Sequence, residues 1–120
     1  MAQFLAIPNS DMGAFNEDDF ILLQDRGNEV EIYLQGDVEF TITTFTGMAY
    51  LRAYADAHQF VGVGEHRFNP KNIAWVSVDD TDLSVYVTDC NGTPWVFEGA
   101  EYVAHVAAQV PSFVWQPSSL

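Results

Sequence analysis

A chain of 120 residues with 48% hydrophobic and 14% aromatic content can close one real core, burying about two-thirds of its unfolded surface, which excludes a disordered acidic tail. Seventeen acids stand against four bases, for a net charge of −13; such a surface argues against nucleic acid and anionic lipid as partners and for a basic one. Cys90 is the single cysteine, so neither an intramolecular disulfide nor a cysteine-based metal cluster can form within one chain.

The first residues, MAQFLAIPNSDMGAF, carry no basic n-region, and no apolar run approaches the ~18 residues of a membrane span. A cytoplasmic protein is the expectation. FNEDDF (15–20) then opens a strand, FILLQD (20–25), which RGN ends as a turn. EVEIYLQ (29–35) alternates, with Val30, Ile32 and Leu34 on one face and Glu29, Glu31 and Tyr33 on the other. Gly36-Asp37 reads as a tight turn. VEFTITTF (38–45) sets Phe40 and Ile42 opposite Glu39, Thr41 and Thr43. The period changes at TGMAYLRAYADAH (46–58), where Met48, Leu51, Ala55 and His58 form a helical stripe and Thr46 reads as the N-cap.

VGVGEHR (61–67) reads as a linker strand or loop between two units. FNPKNI (68–73) echoes FNEDDF and leads into the strand NIAWVSV (72–78) and the turn DDTD. LSVYVTD (83–89) is a strand with Leu83, Val85 and Val87 inward. Asn91-Gly92 predicts a type I′ hairpin turn, and TPWVFE (93–98) a strand with Pro94 at its start or on an edge. GAEYVAHVAAQV (99–110) is helical, with Val103, Val106, Ala107 and Val110 on one stripe and Pro111 as its stop.

The order strand, strand, strand, helix occurs twice. At an offset of ~53 residues Phe15, Asn16 and Tyr33 match Phe68, Asn69 and Tyr86; one residue less aligns Asp37, Gly47 and Tyr50 with Asp89, Gly99 and Tyr102. The expected architecture is α+β: two tandem βββα units, 15–58 and 68–110, sharing one domain over residues 1–120 about a pseudo-twofold axis. Antiparallel sheets would carry two packed helices. The uncharged tail 111–120, with Phe113 and Trp115, is a candidate for docking on the sheet or on a second copy.

No catalytic set emerges. His58, His66 and His105 have no HxxxH or HExxH spacing and no nucleophile beside them. Acids flanking Cys90 disfavour a reactive thiolate. The glycines form no phosphate loop, and Asp79-Asp80-Thr81-Asp82 lacks the spacing of a calcium loop. The expectation is no enzyme, no cofactor and no metal.

The charge is blocked. Residues 11–39 hold nine acids and one base, residues 79–101 six acids and none. Glu29, Glu31 and Glu39 are expected on one sheet face, Asp37 at its turn, and Glu17, Asp18 and Asp19 before the first strand. With Asp79, Asp80 and Asp82 these acids make a candidate surface for a basic protein partner, one that normally holds nucleic acid, and not for nucleic acid itself. In size and charge the chain resembles small acidic phage-encoded inhibitors of bacterial defence, anti-CRISPR proteins among them. That resemblance implies a DNA mimic acting by occlusion. The alternative is a structural or assembly module, a virion or oligomer component, making subunit contacts through its sheet and apolar tail and able to form a homodimer. Halophilic adaptation is a third source of acidity.

Overall fold

A computed structural model describes residues 3–10, 13–79, 81–108 and 115–117. The chain is α+β, with antiparallel sheets and two helices. Its contacts divide it into two compact units, Met1–Asn72 and Ile73–Leu120.

The first unit begins with a two-stranded ladder, β1 (Phe4–Ala6) against β2 (Ala14–Asn16), Leu5 opposite Phe15. A single 3-10 turn, Glu17–Asp19, follows. The main sheet is five-stranded: β3 (Phe20–Asp25), β4 (Val30–Leu34), β5 (Val38–Ile42), β6 (Val61–Val63) and β7 (His66–Phe68), in the order β5-β4-β3-β7-β6. All of its pairings are antiparallel. Neighbours flank the central strand β3 on both sides, and Phe20, Ile21, Leu22 and Leu23 are fully buried. Alternation alone would put Phe20 and Leu23 on opposite faces. A register shift between Phe20 and Leu22 adds the extra residue that brings both into one core cluster. There they meet Val30 and Ile32 of β4 and the helix α1 (Phe45–Ala57), which contributes Met48, Leu51 and Ala55. Each such Leu or Phe contributes about 1.5–3 kcal/mol. Phe20 also stacks on Tyr54 at 5.9 Å and meets Phe15 and Phe60 edge-on at 5.4 and 5.1 Å.

The second unit is a four-stranded sheet: β8 (Ile73–Asp79), β9 (Ser84–Asp89), β10 (Pro94–Glu98) and β11 (Trp115–Pro117), in the order β10-β9-β8-β11. Three of these strands form an antiparallel meander; β11 runs parallel to β8. The helix α2 (Ala100–Ala108) packs on β9, with Val106 fully buried and Tyr102 5.7 Å from Phe97. Val76, Val78, Val85 and Val87 are buried with them. Pro94 opens an edge strand, where its missing N–H costs nothing.

Several expectations need correction. Residues 61–67 hold strand, as one of the two readings had it, but more than a linker: β6 and β7 form a hairpin joined by Gly64-Glu65, and Gly64 takes the positive φ (60°) that a first loop position of this kind requires. The cap of α1 is Thr44, whose Oγ1 accepts from Gly47 N at 3.3 Å, not Thr46. Leu83 points outward, 45% exposed in the turn before β9 with φ 53°. The turn at Asn91-Gly92 is not type I′, because only Gly92 has positive φ (84°). It is a three-residue loop in which Gly92 N donates to Asp89 O at 2.9 Å and Asp89 N to Thr93 O at 3.1 Å. Val110, Pro111, Phe113 and the ends of the tail 111–120 lie outside the described residues; of the tail, only the backbone of β11 is described.

Candidate functional site

The structure brings some of the predicted acids together. Across β4 and β5, Glu31 faces Thr41 and Tyr33 faces Glu39, so these four share one side of the sheet. Glu29 stands at the entrance of β4, and Asp37 sits in the hairpin turn with φ 60°. Glu17, Asp18 and Asp19 form the 3-10 turn before β3. In the second unit, Asp79 Oδ1 accepts from Thr81 N at 2.9 Å and from Asp82 N at 3.2 Å, tightening the turn that Asp82 belongs to. Asp80 lies outside the described residues.

The row on β4–β5 is engaged within the sheet. Arg26 Nη2 reaches Glu31 at 3.0 Å and its Nη1 lies 3.9 Å from Glu29. Tyr33 Oη donates to Glu31 at 2.6 Å. Burial pushes the Tyr33 phenol above its usual range, and the bond to Glu31 adds to the shift. Tyr54 behaves alike, raised by burial and by its 2.9 Å bond to Glu17.

All four bases of the chain are in ion pairs. Besides Arg26, Arg52 clamps Asp25 through Nε at 2.7 Å and Nη2 at 2.9 Å, Arg67 meets Asp56 at 2.6 Å, and Lys71 meets Asp18 at 2.8 Å. The hydrogen bonds from Arg52 and from Lys71 hold the Asp25 and Asp18 carboxyls below the usual carboxylate range.

His58 closes α1, stacks on Tyr54 at 3.9 Å and sets Nδ1 3.0 Å from Tyr54 O. Burial lowers the pKa of His66 on β7. His105 and Cys90 are exposed. Among the described residues no three His, Cys, Asp or Glu side chains converge as a metal site would need.

Clefts lined by described residues of the first unit include two of note. The smaller, about 250 Å³, lies between Glu17, Tyr54, His58 and Phe60 on one side and Asn69 to Lys71 on the other. The larger, about 380 Å³, runs along β5. Phe40 and Ile42 give its apolar part, while Thr41, Thr43, Thr44, Ser10 and Asn9 bring hydroxyls and an amide. None of its lining residues is charged. Phe45, the next residue after the lining, is 82% exposed. Nothing in the sequence reading singled out this cleft. A signal was present all the same, in the cluster Thr41, Thr43, Thr44 and Thr46 within an uncharged stretch.

No known family profile matches the sequence, and no curated protein matches it. Among solved structures the chain is similar to the LytTr DNA-binding domain of a putative methyl-accepting/DNA response regulator from Bacillus cereus. The TM-score is 0.61 at 10% sequence identity, over 91% of this chain and 95% of that one. At that identity the likeness is one of fold.

The likeness overturns the functional expectation drawn from charge. Inhibitor, DNA mimic and anti-CRISPR-like protein were inferred from size and acidity, which specify no architecture; the architecture found is that of a DNA-binding domain in the protein it matches. The assembly-module alternative falls with them. So does the expected partnership with a basic protein and no direct nucleic acid. Part of the acidity behind those readings has a local explanation, since Asp18, Asp25, Glu29, Glu31 and Asp56 are each paired with a base of the same chain.

Proposed function

We propose that this chain is a DNA-contacting, non-enzymatic domain that acts as one functional unit in the cytoplasm. The likeness of fold to a DNA-binding domain, extending over nearly the whole of both chains, carries this reading. Charge then restricts how contact is made. Every Lys and Arg is held by a carboxylate, so neutralising phosphates with bases would break an ion pair for each contact. Hydroxyls, side-chain amides and backbone N–H groups also bind phosphate and sugar oxygens, and a neutral donor breaks no ion pair in doing so.

The tandem βββα repeat, with the pseudo-twofold relation that it implies, is part of the proposal. Its support is local. Both β3-β4-β5-α1 and β8-β9-β10-α2 are preceded by a Phe-Asn pair and a 3-10 turn.

Selection from a pool of random-sequence DNA duplexes, followed by fluorescence anisotropy on the recovered duplex, tests the function. Enrichment of a sequence family with saturable binding is expected. No enrichment and no anisotropy change, from low to physiological salt and with Mg²⁺ present, overturns the reading.

A further inference from the structure

Phosphates avoid crowded carboxylates, and in this chain few places are free of them. The second unit, residues 73–120, holds six acids and no base. In the first, Glu31 and Glu39 occupy one face of the sheet and Glu17 to Asp19 the turn before β3. Residues 40–51 are the longest stretch without a charged side chain between the first and last charged residues of the sequence. Its opening residues line the 380 Å³ cleft.

The chemistry of that cleft suits a polyanion met without bases. Thr43, Thr44 and Ser10 are hydroxyl donors, while Thr41 lies on the face that Glu31 and Glu39 occupy. Among the described residues β5 pairs only with β4, so it is a sheet edge, and an edge strand presents backbone N–H groups outward. Phe45 stands at the rim with 82% of its surface in solvent. A ring so exposed adds little to the chain's own core. Proteins that bind the minor groove frequently insert an apolar side chain, Phe among them, between base steps.

Resting on the DNA-contacting reading, we propose that a DNA duplex docks on the uncharged cleft along β5, held at its phosphates by neutral donors and wedged by Phe45. Two consequences separate this mode from ordinary basic recognition. Binding releases few counterions, so the usual steep loss of affinity with salt is absent. Salt instead screens the repulsion between duplex and acidic chain, so affinity is flat or rises as salt is raised from a low level.

Anisotropy titrations of the selected duplex, or of a labelled random-sequence duplex, test the docking surface. Thr43→Asp places an acid in the cleft just ahead of α1, where a negative charge suits the helix dipole, so the variant is expected to fold. Phe45→Ala removes the ring. Each is expected to weaken binding by roughly tenfold, the order of effect of losing one base-stacking side chain. Phe4→Ala and Trp75→Ala, which remove exposed rings elsewhere, leave it unchanged. If the wild type binds and all four variants bind equally well, the docking surface is wrong and the DNA reading stands. A steep fall of wild-type affinity with salt likewise overturns the neutral mode alone. If the wild type binds no DNA, the reading itself fails and this inference with it. Concentration-dependent self-association that Thr43→Asp abolishes, with no response to DNA, assigns the edge to a second copy of the chain and overturns the proposal.

Discussion

Asp25 and Asp89 perform the same local task in opposite electrical company. Each ends a strand, β3 and β9, and each accepts the backbone N–H two residues on, Gly27 or Asn91, at 2.9 Å. Asp25 then receives Arg52 through two nitrogens, and Arg52 also bonds Gly27 O at 2.9 Å, so the turn is clamped to α1 by charge. Asp89 has no such partner, because its unit contains no Lys or Arg. It accepts from Thr93 N at 3.1 Å and from the Trp95 indole at 2.9 Å, and it is 3% exposed. A carboxylate in this chain is thus settled by oriented N–H donors as readily as by a base. A count of acids says little, therefore, about what the surface is for.

Removing the two carboxylates should separate the two modes. Asp89→Ala removes the acceptor of an indole N–H and two backbone N–H groups, and a loss of about 2 kcal/mol is expected from these charge-assisted, part-buried bonds. Asp89→Asn keeps one acceptor oxygen and loses about half as much. Urea titration followed by tryptophan fluorescence reads this selectively, since Trp75, Trp95 and Trp115 all lie in residues 73–120. An unchanged midpoint for Asp89→Ala would show that the loop holds without its carboxylate.

Arg52→Ala should cost less, about 1–2 kcal/mol for charge-assisted bonds at a half-exposed site. Adding Asp25→Ala should cost further only the bond from Gly27 N, about 1 kcal/mol, because both changes remove the Arg52–Asp25 bonds. The pair also has a pH signature. Arg52 depresses the folded-state pKa of Asp25, so its contribution is present above the unfolded value of about 3.9 and is lost as pH falls through the lower folded value. Acid titration of stability by circular dichroism should therefore be shallower below pH ~4 for Arg52→Ala than for the wild type. Parallel curves would remove the clamp from the account.

The contrast also explains what the sequence could disclose. Val30, Ile32 and Leu34 announced β4 by strict alternation, and the same alternation placed Glu31 and Glu39 on one face, because period-two patterning is local. The strands β1, β2, β6 and β7 are three residues each, too short for any period to declare itself. Thr44 and Thr46 both fit the local rule for a cap; the choice fell to Thr44, whose hydroxyl accepts from Gly47 N. Asn91-Gly92 carried a hairpin signal, but Asp89 takes up the N–H of Asn91 and a three-residue loop results. The pairings of Arg52 with Asp25 and of Lys71 with Asp18 span 27 and 53 residues, beyond any local pattern. The cleft along β5 joins residues 9–10 to 40–44 and was invisible for the same reason. Function was read from net charge, which is a sum and names no architecture.

The smallest expected effect concerns the two stretches FNEDDF and FNPKNI. Both asparagines act alike: Asn16 Oδ1 accepts from Asp18 N at 2.9 Å and Asn69 Oδ1 from Lys71 N at 3.2 Å. Each thereby starts a 3-10 turn. Of the three positions at which the stretches differ in charge, the middle one sets Asp18 against Lys71, and these two meet at 2.8 Å. The acid in one stretch is the complement of the base in the other. Both side chains are exposed, so neither Asp18→Asn nor Lys71→Gln should shift the thermal midpoint measurably on its own. A double-mutant cycle of the two cancels the change in overall charge and isolates their coupling. Coupling is expected to be favourable at low salt and to vanish at high salt, as screening requires of an exposed pair. Zero coupling at low salt would make the 2.8 Å contact incidental. A coupling that survives high salt would mean that the buried amides beside it depend on the pair, since Asn72 bonds both Asp18 O at 2.8 Å and Phe20 O at 2.6 Å.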